Sequence, residues 1–155
     1  VDHDTGIQMM ESGAILMYLT EKTGKFMPTE EKARWATIEW LMFQMGGVGP
    51  FFGQVHHFTK YNSGVAPYAE ERYLNEAKRL YGVMDYRLAD NEWLNGEGYS
   101  IADMAVWPWT ARHDWQTIDL NKYPNVARWY IAMCERPAVQ KGWNIPPTDQ
   151  QIPMP

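Results

Sequence analysis

Glu11 and Ser12 stand side by side where a helix is predicted to begin. The first amides of a helix have no partner inside it and carry partial positive charge, so a carboxylate is favoured there. A serine hydroxyl adds to such a site, and a neighbouring acid can pair with an ammonium group. The same spacing equally suits a structural role in which Ser12 caps the helix and Glu11 offsets its dipole. Gln44 falls on the helix face that carries Ala33, Thr37 and Trp40, just before a glycine-rich stretch. From there it can project into a cleft or remain an ordinary exposed amide. Arg72, taken by itself, is a solvated residue on the polar face of a long helix.

Other chemistry-bearing residues point elsewhere. His56 and His57 are adjacent, so on a helix they diverge by about 100° and do not share a metal as an i, i+4 pair does; no metal site is expected. The single cysteine, Cys134, has no CxxC partner and follows Met133 on a core-facing helix, which suits a small buried hydrophobe better than a nucleophile. Gly46, Gly47 and Gly49 lack the Lys-Ser/Thr of a phosphate loop. Trp107, Trp109 and Trp115 read as core aromatics, with an apolar second-substrate pocket as the other possibility.

The elements that must position these residues are nearly all helical. A polar turn, Asp2 to Gly6, followed by the apolar run Ile7 to Met10, resembles the end of a hairpin. A short helix follows, with Ile15, Leu16 and Leu19 at helical spacing, Ser12 as N-cap and Gly24 as its stop. The next helix is predicted to start near Thr29, with Trp35, Ile38, Met42 and Met45 as its core stripe. The glycines and Pro50 then predict a kink, with irregular or resumed helix through Phe58. A long helix over 67–90 carries Ala77, Leu80, Tyr81, Met84 and Leu88 on one stripe. Ser100-Ile101-Ala102-Asp103 has the form of a capping box, and Pro124 opens a helix bearing Val126, Trp129, Tyr130 and Met133. The tail from Ile145 is predicted to be extended.

Composition limits the function classes. With 45% hydrophobic residues and eight Trp in 155 residues, the chain holds enough core material for one folded domain, or one plus a piece of another. A formal net charge of −5 opposes binding to nucleic acid or to anionic membranes. No run of about 18 apolar residues exists and no signal peptide opens the chain, so a soluble, cytoplasmic protein is expected. Val1 reads like mid-strand sequence, which suggests a piece of a longer protein.

The order of these signals, Glu11-Ser12-Gly13-Ala14-Ile15, then long helices, then Ser100-Ile101-Ala102-Asp103, then Glu135-Arg136-Pro137-Ala138, resembles the glutathione transferase superfamily. More narrowly, Trp40 through Pro50, Gly53 through Phe58, Pro67-Tyr68 with Glu71-Arg72-Tyr73, and Trp107-Pro108-Trp109 are similar to the bacterial Nu-class and its disulfide-bond oxidoreductase relatives. The resemblance implies an all-α fold, a glutathione transferase C-terminal helical bundle over 25–155. Before it, 1–24 would be the remnant, a strand pair plus one helix, of a thioredoxin-like glutathione-binding domain.

The resemblance also implies the chemistry. The intact protein would bind glutathione as cosubstrate, stabilise its thiolate and direct that sulfur at a small disulfide or an electrophilic carbon. Glu11 and Ser12 would hold the γ-glutamyl end, and Gln44 and Arg72 would be further glutathione contacts. The thiol-activating group would lie upstream of Val1, leaving this chain poorly active alone, and the intact protein would be a homodimer. A non-enzymatic interaction or ligand-binding module, and a glutathione-dependent dehalogenase, are the alternatives.

Overall fold

The computed structural model describes residues 1–155. Its seven α-helices are α1 (Ser12–Thr23), α2 (Glu31–Phe43), α3 (Gly49–Val55), α4 (Pro67–Ala89), α5 (Ile101–Thr110), α6 (Pro124–Cys134) and α7 (Pro137–Trp143). Helices α1 and α2 pack on α5, while α3 and α6 pack on α4. The core between them is built from Val48, Phe52, Leu80, Tyr81, Met84, Val106, Trp129 and Tyr130, all buried. The stripes read from the periodicity of α4 and α6 are the faces that turn inward.

The expected strand pair is absent. Residues 1–10 form a turn closed by the Gly6 amide donating to the Asp2 carbonyl (2.8 Å) and the Asp2 amide donating to the Ile7 carbonyl (2.9 Å), followed by extended chain. Two such bonds are not a ladder, and a hairpin of this length does not hold itself together without a sheet to join. The turn is fastened instead to α1: Lys22 forms ion pairs with Asp2 and Asp4, and the Tyr18 hydroxyl donates to Asp2.

Helix α2 presents the opposite face from the one its large apolar residues suggest. Ala33, Thr37, Leu41 and Gln44 are buried, whereas Trp35 and Met42 are 58% and 48% exposed. Both stripes fit a 3.6-residue period, so spacing alone does not choose between them. What decides is the partner of the buried hydroxyl: Asn95 donates from Nδ2 to Thr37 Oγ1 at 3.0 Å, and its Oδ1 accepts the Glu97 and Gly98 amides. The helix also begins at Glu31 rather than Thr29, because the Glu30 carboxylate accepts the Lys32 and Ala33 amides and acts as its cap.

The glycine-rich stretch does not interrupt the helical run. Residues Gln44–Val48 widen into a π-helical turn, with the Gly49 amide donating to the Gln44 carbonyl, and α3 continues from there. Pro50 has no N–H to give a regular ladder, and the missing glycine side chains leave room for the wider turn. A second π turn, His56–Tyr61, ends the run.

The Asp103 carboxylate organises the centre. It accepts the Ser100 amide (3.0 Å), the Ser100 hydroxyl (3.1 Å), the Leu94 amide (3.1 Å) and the Trp129 indole N–H (2.9 Å). Ser100 Oγ in turn accepts the Ala102 amide. Burial holds the Asp103 carboxyl above its usual range, and these donors only partly offset that. One side chain thereby joins the start of α5, the preceding loop and α6. Asp103→Ala strands buried donors on Leu94 and Trp129, each costing about 1–3 kcal/mol. We expect roughly 3 kcal/mol or more of lost stability in urea unfolding; a loss under about 1 kcal/mol contradicts the central role.

Candidate functional site

The chain enters α1 through Glu11, whose φ of 70° is a strained value for a residue with a side chain. Ser12 is therefore the first helical residue rather than the expected N-cap, and no side chain caps the helix. An N-capping serine needs extended backbone angles, which the backbone here gives to neither residue. Glu11 and Ser12 are both exposed, at the mouth of the helix's free amides.

Gly13 fixes where that mouth sits. A Cβ there would lie 3.1 Å from Met45 Sδ, so the start of α1 rests directly on the π turn. Met45 is the neighbour of Gln44. Gln44 itself is only 5% exposed, and its Oε1 has no hydrogen-bond partner although the atom is buried. A buried carbonyl oxygen in that state costs free energy until something donates to it. The structure thus places the Glu11–Ser12 segment and Gln44 on adjoining pieces of backbone. Arg72 is elsewhere: it is exposed on α4, beside a depression shared with Phe51, Tyr73 and Arg79, and no hydrogen bond or ion pair connects it to the other three residues. Arg79 is already engaged with Glu76 at 2.7 Å.

Behind Gln44 lies a polar cluster that the sequence did not reveal. The Gln116 amide is oriented by three partners: its Oε1 accepts the Tyr81 hydroxyl (2.6 Å), and its Nε2 donates to the Trp109 carbonyl (2.9 Å) and to His56 Nε2 (3.0 Å). His56 accepts that bond as the neutral ring, buried against Trp109 and Trp115. His57, one residue on, is exposed, so the two rings face different surroundings. Glycines four apart, Gly49 and Gly53, are the signal that a large side chain lies close by: a Cβ at either would lie 3.3 Å and 3.7 Å, respectively, from the Trp109 indole. Cys134 is buried and its thiol is pushed up by desolvation, which makes it a poor nucleophile.

Residues 50–137 match the family described as "Glutathione S-transferase, C-terminal domain". The chain belongs to this family. It is 50% identical over 143 residues to the disulfide-bond oxidoreductase YfcG of Escherichia coli (strain K12), covering 89% of this chain and 66% of that protein. A glutathione transferase from Burkholderia graminis, solved with two glutathione molecules bound per subunit, superposes with a TM-score of 0.81 at 41% identity, covering 90% of this chain and 61% of that one. A glutathione transferase from Pseudomonas putida, solved with one glutathione disulfide bound per subunit, gives 0.83 at 42% identity, covering 90% and 64%. This chain therefore spans just under two thirds of the length of these relatives. None of its helices is long and apolar enough to cross a membrane.

Burial, with the nearby Arg112 as a second cause, lowers the pKa of His56. A histidine depressed in the folded state costs nothing above its unfolded value of about 6.5, and stability is lost as pH falls below that value toward the lowered folded one. We expect the melting temperature to drop between about pH 7 and pH 5, with the drop reduced in His56→Asn. An unchanged slope in that variant contradicts the assignment.

Proposed function

We propose that this chain is part of a glutathione-dependent thiol transferase that reduces disulfides, with 1–24 the end of its thioredoxin-like domain and 25–155 its helical domain. The single observation that carries this reading is the uncapped start of α1, exposed with Glu11 and Ser12 and resting on the turn that holds Gln44 with its unpartnered Oε1. The α-carboxylate of a γ-glutamyl group fits the free amides and the Ser12 hydroxyl, and its ammonium fits Glu11. The buried Gln44 Oε1 lacks a donor, which an N–H of the ligand would supply. Arg72, on its separate surface of α4, suits a second carboxylate of the same ligand class.

In the reaction, a glutathione thiolate attacks one sulfur of R–S–S–R′, forming a mixed disulfide and releasing R′–S⁻. A second glutathione thiolate then attacks the glutathione sulfur of that mixed disulfide, yielding glutathione disulfide and R–S⁻, and each released thiolate takes up a proton. Two glutathione molecules in the Burkholderia graminis relative, and glutathione disulfide in the Pseudomonas putida relative, are the inputs and product such a sequence requires. The sulfur that reacts belongs to the ligand, which is consistent with a chain whose one cysteine is buried. No side chain here is assigned to activating the thiol. The working protein is proposed to be a cytoplasmic homodimer.

Calorimetric titration with reduced glutathione tests the site. We expect Ser12→Ala to weaken binding roughly tenfold to a hundredfold, the size of one hydrogen bond to a charged group. Wild-type affinity in Ser12→Ala favours a non-enzymatic bundle and contradicts the reading. Fast turnover of hydroxyethyl disulfide by this chain alone would show that a thiol-activating group lies within it.

A further inference from the structure

Gly49 occupies a helical position that does not need a glycine for its backbone. Its φ of −56° is one any residue adopts, and glycine in a helix interior is less stable than alanine. The requirement is spatial. A Cβ on Gly49 would lie 2.8 Å from Gln44 Nε2, 3.4 Å from the Gln44 carbonyl oxygen and 3.3 Å from Trp109 Nε1. The shortest of these distances is to the tip of a flexible side chain, so the carboxamide, not the backbone, would give way. Gly49 and Gln44 are both buried, and the Trp109 indole packs against Gly49.

We infer that Gly49 is a positioning residue for glutathione: the absence of its side chain lets the Gln44 carboxamide lie folded against α3, with Oε1 buried and still lacking a donor. This rests on the function proposed above. The π turn contributes by placing Gln44 five residues before Gly49, joined by the Gly49 amide to Gln44 carbonyl bond, so that side chain and glycine face one another. A purely structural glycine would affect folding and leave ligand binding untouched. A positioning glycine does the reverse, because the displaced group is a flexible tip and alanine improves the helix.

The test is a double-mutant cycle on this chain, using Gly49→Ala, Gln44→Ala and the pair, read by calorimetric titration with reduced glutathione and by melting temperature. We expect Gly49→Ala to fold and to bind glutathione about fivefold to tenfold more weakly, close to the loss in Gln44→Ala. The pair should bind no worse than Gln44→Ala, since the group to be displaced is already gone. In the Gln44→Ala background, Gly49→Ala should raise the melting temperature by more than it does in the wild type. Wild-type affinity in Gly49→Ala, or losses that multiply in the pair, overturns the inference. If the wild-type chain gives no heat with glutathione, the glutathione reading fails by itself. The contact is then judged on melting alone, and an equal change in both backgrounds overturns it.

Discussion

A carboxylate buried among four donors holds this bundle in register. Asp103 collects the amide and hydroxyl at the start of α5, an amide from the loop before it and the indole N–H of α6. An ionised carboxyl in that position is costly unless its oxygens are hydrogen-bonded, and here four donors reach them. The consequence is that α5 cannot shift along its axis without breaking several bonds at once. Helices α1, α2 and α3 all pack on α5, so the position of the candidate site is inherited from this one side chain.

From that anchor the site follows by close contacts at glycines. Trp109, near the end of α5, lies against Gly49 and Gly53 of α3, and Gly13 of α1 lies against Met45 of the π turn. Each glycine removes the side chain that would keep two helices apart. The same region carries unusual features: a non-glycine residue with positive φ at Glu11, an uncapped helix start at Ser12 and, beneath the surface, a buried carboxamide oxygen without a partner at Gln44. Such departures from local optimum concentrate where a protein binds something.

Much of this was legible in the sequence because it depends on local chemistry. The stripes of α4 and α6 come from a period that only one face satisfies, and Ser100 with Asp103 announces a helix start by residue type and spacing. The face of α2 was not legible. Its two candidate stripes share the period, and the choice between Trp35 and Thr37 depends on Asn95, 58 residues away from Thr37. The strand pair was suggested by a polar turn and an apolar run that do occur, but a strand exists only through its neighbour, and residues 1–10 have none. At the site, Glu11, Ser12 and Gln44 stand out through the family resemblance, since residue type and spacing alone suit a structural role equally well, whereas the contacts of Gly49, Trp109 and Gln116 run between helices and no linear pattern displays them.

The central claim is that the free amides of α1, flanked by Glu11 and Ser12, hold the charged end of glutathione. A crystal of this chain soaked with reduced glutathione decides it most directly. The account predicts the γ-glutamyl carboxylate within hydrogen-bonding distance of the Ser12 hydroxyl and the first-turn amides, with its ammonium against Glu11. Density for the tripeptide's amino-acid end on any other surface, with these groups left to water, would contradict it.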